Sequence, residues 1–449
     1  FTETYMWGIR STNIVHADRI VSGVILIKGQ HIHSIVQEAP EGIEIEDVGD
    51  LAVMAGGVDS HVHINEPGRT EWEGFETATK AALKSGLTTL VDMPLNCSPV
   101  TTTLDAFEQK LASMPGKCHV DVGFWAGVVP DSVSSLDALM QRGTLGGKAF
   151  MCHSGIDEFP AADEETLRQS LKIFKRYDVP LLAHAEITSE VALPALPTTS
   201  YKCYLASRPT SWEIDAIEML IRLCRETGAH VHIVHLSAAD ALPMIKEARE
   251  EGLPLTVETC PHYLCLQAED IPDASPLYKC APPIREKANR DALWQGLKDG
   301  LIDFVISDHS PCPTTMKELE SGDYFKAWGG ISSLDLGLSL LWTEASERGY
   351  GLTDIARWLC EGPARFAGIE AQKGNLAPGT DADIVIWDPE VEYTLQREHL
   401  VTRHAATPYL GMSLKGQVKK VYLRGEVALD EEGFHPPRGQ ALLHQHSNT

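Results

Sequence analysis

From about residue 58 to 311 the chain alternates short apolar or β-branched runs with segments whose apolar residues recur at helical spacing. This is the pattern of repeated βα units around a parallel sheet. Eight such runs stand out, at 58–64, 88–95, 119–128, 145–151, 180–186, 230–237, 254–264 and 303–311. Between them lie segments such as 211–224, where Ile214, Ile217, Ile221 and Cys224 share a helical spacing, and 241–251, with Pro243 early and Gly252 just past its end. Eight strands, each followed by a helical segment, predict an α/β chain built on a closed (β/α)8 TIM-like barrel rather than an open sheet.

The flanks read differently. Residues 1–52 contain runs at 11–15, 20–27 and 31–36, and residues 380–430 contain runs at 382–387 and 418–423, all punctuated by Gly and Asp. These predict short antiparallel strands contributed by both chain ends. The simplest organisation is a small composite β-sandwich domain, residues 1–52 and 376–449, beside a barrel of residues 53–375.

Composition removes several function classes. With 449 residues and 43% hydrophobic content the chain has enough apolar material for a large core, and no apolar run reaches 18 residues. Asp+Glu 63 against Lys+Arg 38 gives a net charge of -25. Such a surface repels phosphate backbones, and no basic stripe with interleaved aromatics offsets it, so neither nucleic acid nor membrane is an expected partner. The ten cysteines form no Cys-x-x-Cys pair and several sit inside apolar runs. That usage fits reduced thiols in a soluble intracellular protein; the cytosol and the mitochondrial or peroxisomal matrix fit it equally. An opening on Phe1 leaves targeting undecided.

Three His-x-His pairs occur, His31/His33, His61/His63 and His230/His232. In a strand each pair presents both imidazoles on one face, as a metal requires, but any alternating strand does the same. Position along the strand discriminates better, because barrel chemistry sits where strands end and βα loops begin. His61 and His63 close their run, whereas His230 and His232 open theirs, toward the stability face. Applied to every ionisable side chain near a strand end, the same test collects Lys148, His184, His235 and Asp308. Five strands thus deliver ligand-type groups to one mouth. A free Lys is no metal ligand. Captured by CO2 as a carbamate, Lys148 becomes an anionic oxygen donor able to bridge two cations; otherwise it simply pairs with Asp308.

The set Val58-Asp59-Ser60-His61-Val62-His63, Gly147-Lys148-Ala149-Phe150, His184-Ala185-Glu186, His235-Leu236-Ser237 and Ser307-Asp308-His309-Ser310 resembles the cyclic amidohydrolases of the amidohydrolase superfamily, a group that includes hydantoinases, dihydropyrimidinases, dihydroorotases and allantoinases. The resemblance spans nearly the whole chain. Dihydroorotases carry a carboxylate-binding Arg and His where this sequence has Asn65 and Cys312, so an anionic ring is disfavoured. Hydantoinases and dihydropyrimidinases carry a Tyr five residues after the carboxylated Lys; here that residue is His153. The segments 65–75, 279–285, 307–313 and 326–331 look like those of allantoinases.

The resemblance implies hydrolysis of the hydantoin ring amide of allantoin to allantoate, in urate catabolism, with the other cyclic amide rings as the alternative. It implies two divalent cations, with zinc favoured and Fe, Co or Mn also fitting such ligands. One cation is held by His61, His63 and Asp308, the other by His184 and His235, and carboxylated Lys148 and a hydroxide bridge them. Asp308 is the general base and acid. It further implies a homotetramer. Asn96, Cys280, Ala281, Gly330 and Ile331 are the candidates for holding the substrate, although Asn96 also reads as a turn residue. His262 reads as a core or supporting residue on the seventh strand, Trp328 as a packing residue, and His309 as pointing away from Asp308. A barrel that has lost its metals and serves as a scaffold is disfavoured, because all six ligand positions are filled.

Overall fold

The computed structural model describes residues 5–445. Eight barrel strands run in the expected order: β1 (Gly57–Val62), β2 (Leu87–Asp92), β3 (Asp121–Phe124, continued as Ala126–Val128), β4 (Gly147–Phe150), β5 (Leu181–His184), β6 (Val231–Ile233), β7 (Leu255–Thr259) and β8 (Phe304–Val305). All neighbouring pairs are parallel. The ring closes between its ends, where His63 N–H donates to His309 O at 2.9 Å and Val62 bridges His309 in parallel.

Helices cover the outside as their apolar spacing requires. The helix expected over 211–224 spans Thr210–Thr227 and buries Ile217, Leu220, Ile221 and Cys224; Gly228, at φ 67°, stops it. The one expected over 241–251 spans Leu242–Glu250, with Pro243 in its first turn. Helix Glu164–Tyr177 opens on Asp163, whose carboxylate accepts from Thr166 N–H at 2.8 Å, and buries Leu167, Leu171 and Phe174. A Cβ on Gly147 would meet Phe174 Cζ at 2.3 Å, so glycine at that point lets the helix seat against β4 and fixes the next residue, Lys148.

The barrel strands are shorter than the apolar runs that predict them, and the seventh and eighth show why. The seventh ends at Thr259, and Pro261–Cys265 is a short helix with proline at its first position, so His262 lies on a helix and not on the seventh strand. The eighth ends at Val305. There Ser307 N–H turns to the Asp59 carboxylate (3.1 Å), and Asp308 takes a left-handed φ of 47°, which strand pairing does not accommodate.

Both chain ends contribute to one nine-stranded sheet. Its N-terminal strands are Met6–Val15, Ile20–Lys28, His31–Val36, Glu44–Asp47 and Ala52–Ala55, and its C-terminal ones Ile384–Thr394, Ser413–Leu423, Glu426–Asp430 and Gly433–Phe434. The sheet is mixed rather than purely antiparallel, since Met6–Val15 runs parallel to Glu44–Asp47 and Ala52–Ala55. His31, on its edge, faces Asp381 at 3.6 Å and lies in this sheet, apart from the barrel mouth.

Buried charge joins sheet to barrel. Lys373 donates to Asp121 of β3 (2.7 Å), Asp383 (2.8 Å) and Asp381 (2.9 Å), and Arg424 pairs with Asp121. The chain beyond the sheet then returns to the barrel: Val122 N–H donates to Gln440 O at 3.0 Å and Leu442 N–H to Val122 O at 2.8 Å, covering the edge of β3 below its break at Trp125. All ten cysteines are free thiols, and among the described residues no helix is long and apolar enough to cross a membrane.

Candidate metal centre

One cavity of about 790 Å³ opens at the carboxyl ends of the strands. His61, His63, Lys148, His184, His235 and Asp308 all line it, delivered by β1, β4, β5 and the segments following β1, β6 and β8. Two of them sit on left-handed backbone, His235 at φ 37° and Asp308 at φ 47°. Non-glycine residues rarely adopt this conformation, and it is concentrated where function demands it.

His61, His63 and Asp308 meet most closely. Asp308 Oδ1 lies 2.9 Å from His61 Nε2 and 3.5 Å from His63 Nε2. On its other side His61 Nδ1 faces Glu258 Oε2 at 2.8 Å. Glu258 can only accept, so Nδ1 carries a proton, and Nε2 faces the Asp308 carboxylate either as the second N–H of an imidazolium or as a lone pair. A lone pair facing a carboxylate at 2.9 Å requires a positive charge between or upon them. Buried His63 Nδ1 and His235 Nδ1 have no protein partner. The donor set therefore fits divalent cations.

His184 shows the same logic. Its Nε2 faces Glu186 Oε1 at 2.7 Å, Arg208 clamps that carboxylate at 2.6 and 3.1 Å, and Cys152 lies beside the same ring. Such carboxylate–histidine pairs fix tautomer and ring orientation at metal sites. Phe150 stacks on the His184 ring at 4.7 Å, and His184 meets His235 edge-on at 4.6 Å.

Lys148 is fully buried and forms no ion pair among the described residues, so the simple pairing with Asp308 does not occur. Its amine lies 3.8 Å from Met93 Sδ and 4.8 Å from the centre of the Phe150 ring. Burial pushes its pKa down to about 8, against the opposing pull of Asp308 and Glu258. Burial opposes ionisation of Glu258 too, but His61 and His232 bring it down to about 2; Asp308, held by His61 and His63, also stays well below the usual carboxylate range.

Among the residues expected to hold substrate, Asn96, Cys280, Ala281 and Gly330 line the cavity, with Asn96 at φ 67°. Ile331 does not; it is buried and bridges His309. Gly330, at φ 126°, passes so close to Ser310 that a Cβ would meet its carbonyl oxygen at 2.5 Å. His153 is exposed at the rim, its Nδ1 accepting from Gly155 N–H at 3.1 Å. Trp328 both packs, edge-on against Trp72 at 5.1 Å, and lines the cavity. His309 turns from the mouth to Glu73, at 2.6 Å. Asn65 and Cys312 are buried and do not line the cavity.

Four contributors escape the strand-end test. Glu258 lies inside a strand, signalled only by an acid in the apolar stretch Leu255–Thr259. Glu186, two residues after His184, carries the same kind of signal. Arg208 and Lys279 lie on segments without periodicity. Lys279 lines the cavity, forms no ion pair among the described residues, and donates to Ala327 O at 2.7 Å beside the Tyr204 ring.

The chain is similar to known proteins over nearly its whole length. An allantoinase from Streptomyces avermitilis is 44% identical over 438 residues, covering 97% of this chain and 98% of that protein. One from Saccharomyces cerevisiae is 43% identical, covering 89% and 88%, and one from Arabidopsis thaliana 41%, covering 95% and 88%. Among solved structures, the L-hydantoinase (dihydropyrimidinase) of Arthrobacter aurescens superposes with a TM-score of 0.91 at 28% identity, over 98% of this chain and all of that one. A dihydropyrimidinase from Brevibacillus agri does so with 0.87 at 29%, over 99% and 100%. The model of the amidohydrolase family matches residues 52–428, and the chain belongs to that family.

Proposed function

We propose that the chain hydrolyses the ring amide of allantoin to give allantoate. The observation that carries this is the convergence of six ligand-type side chains on one cavity in a chain more than 40% identical to allantoinases. The positions at which dihydroorotases bind a carboxylate are Asn65 and Cys312 here, both uncharged and both outside the cavity lining, which leaves an anionic ring without that support.

In this reading His61, His63 and Asp308 hold one divalent cation and His184 and His235 the other, with Lys148, carboxylated by CO2, between them. Zinc suits this set, and Fe, Co or Mn fit it as well. Bound cations would supply polarisation of the ring carbonyl and a water acidified toward neutrality. The chain does the rest. Glu258 and Glu186 fix the tautomers of His61 and His184. Asp308 Oδ1 takes the proton of the attacking water and returns it to the departing ring nitrogen, so the carbonyl carbon gains OH as its bond to nitrogen breaks. Asn96 and the backbone at Cys280, Ala281 and Gly330 orient the ring and the ureido group. The family resemblance further supports a homotetramer, which light scattering at micromolar concentration would test.

A substrate panel tests the function. Allantoin should be opened faster than hydantoin or dihydrouracil, with allantoate identified by mass spectrometry. Faster opening of either of the other two would replace this reading with the hydantoinase or dihydropyrimidinase one.

A further inference from the structure

Glu258 is fully buried in β7 and is not among the six ligand-type residues. Its two oxygens nevertheless reach both halves of the centre. Oε2 accepts from His61 Nδ1 at 2.8 Å and from the backbone N–H of His235 at 3.3 Å, while Oε1 accepts from His232 Nε2 at 2.7 Å. His61 belongs to one proposed cation site and His235 to the other.

The carboxylate is itself held fast. His232 is packed between Phe304 and Phe366, with ring centres 5.4 and 3.9 Å away, and its Nδ1 is engaged by Thr256 Oγ1 at 2.7 Å. Neither the ring nor the acid it grips can swing. The His235 backbone sits in the left-handed region, which is costly for a side chain of this size unless surrounding contacts impose it. The Glu258 oxygen supplies one such contact, and that same oxygen sets the His61 tautomer.

We propose that Glu258 is a positioning residue that ties the two cation sites together, so that changing this one side chain weakens binding at both. This rests on the binuclear reading above. The chemistry favours it, because a single rigid acceptor fixes a ring on one side and a backbone on the other. Supporting groups around metal ligands typically change affinity about 10- to 100-fold.

The test is metal retention by the purified full chain. Wild type, Glu258→Gln, Glu258→Asp and Thr256→Val are loaded with zinc, dialysed against graded chelator, and read by elemental analysis and by the visible spectrum of the cobalt form. Glu258→Gln keeps the shape but not the double acceptor, and should lose both cations in parallel, each at about 10- to 100-fold lower chelator concentration. Glu258→Asp keeps the charge, displaces it, and should fall between Gln and wild type; if the Gln variant fails to fold, Asp alone should show the parallel loss. Thr256→Val loosens the His232 ring that grips Glu258, and should lose both cations in parallel, by less than Glu258→Gln, while melting earlier. Loss of only one cation in the Glu258 variants or in Thr256→Val, or a wild type that binds a single cation, would overturn the proposal. A wild type that opens no allantoin yet shows parallel loss would instead remove the functional reading and leave this one standing.

Discussion

Oδ1 of Asp308 lies 2.9 Å from Nε2 of His61, although one residue follows the eighth barrel strand and the other closes the first. Asp59 sets this approach, accepting from His61 N–H at 3.0 Å through one oxygen and from Ser307 N–H at 3.1 Å through the other. The seam that closes the barrel thus also builds the tightest part of the centre. Asp308→Asn preserves the shape and removes the proton acceptor. Allantoin turnover should fall about 10²- to 10⁴-fold, the usual range for losing a general base, while the melting temperature stays within a few degrees of wild type. Steady-state kinetics with a thermal melt checks both; turnover within tenfold of wild type would remove Asp308 from the proton-transfer role.

Lys148 is a buried amine with no counter-ion among the described residues, in a cavity lined by His61, His63, His184, His235 and Asp308. Carboxylation, as proposed, would turn that unfavourable cation into an anionic ligand. Lys148→Ala should hold less metal than wild type and lose at least about 100-fold in turnover. Chelator-stripped wild type should regain activity when a divalent cation and bicarbonate are returned together. Unchanged metal content and activity in the variant would sink the carbamate.

The buried cluster between barrel and terminal sheet predicts a pH signature. Burial opposes the charge of Lys373, but Asp383, Asp121 and Asp381 raise its pKa; Asp121 in turn is lowered by Lys373 and Arg424, against the desolvation that burial imposes. A raised lysine contributes stability that is present below its unfolded value and lost as pH rises through the folded one. A lowered aspartate contributes stability present above its unfolded value and lost as pH falls through the folded one. Lys373→Met leaves three acids around Arg424 alone. At pH 7 it should cost roughly 3 to 5 kcal/mol, as breaking a buried pair does. The deficit should narrow toward pH 5, because stranded carboxylates gain pKa and neutralise. Urea unfolding at pH 5 and 8 reads this directly, and a deficit that is constant or wider at pH 5 would contradict it.

Much of this architecture is legible in the sequence because the barrel repeats one rule. Each run of alternating or apolar residues is a strand, and each strand end faces the cavity, so His61, Lys148, His184 and Asp308 announce themselves by position. The rule is silent where tertiary contacts override local pattern. Pro261 turns an apolar run into a helix and takes His262 with it; Asp308 leaves the strand because Asp59 captures the preceding backbone. Glu258 looks like an acid misplaced in an apolar strand until His61 and His232 are brought to it from β1 and β6. The tail at Gln440 to Leu442 has no strand pattern of its own, and pairs only because the break at Trp125 leaves an edge of β3 open.

Lys279 is a cation in the cavity wall that local pattern misses, and it carries a prediction about selectivity. Arg208, the neighbouring cation, is saturated by Glu186, whereas Lys279 makes no ion pair among the described residues. Its amine donates to Ala327 O at 2.7 Å, with a further, longer contact to Phe325 O at 3.5 Å. Burial pushes its pKa down to about 8, with the positive charges of Arg208 and Lys317 adding to the effect, so part of the population is neutral near pH 8. A donor of this kind suits the ureido carbonyl, which hydantoin lacks. A hydrogen bond involving a charged group is worth about 1.5 to 3 kcal/mol, or roughly 10- to 100-fold in binding. Lys279→Met should therefore raise KM for allantoin by about that factor while leaving hydantoin within about twofold. In the wild type, KM for allantoin should climb as pH passes 8 and that for hydantoin should not. Equal losses on both substrates would mean that Lys279 only braces the loop at Ala327.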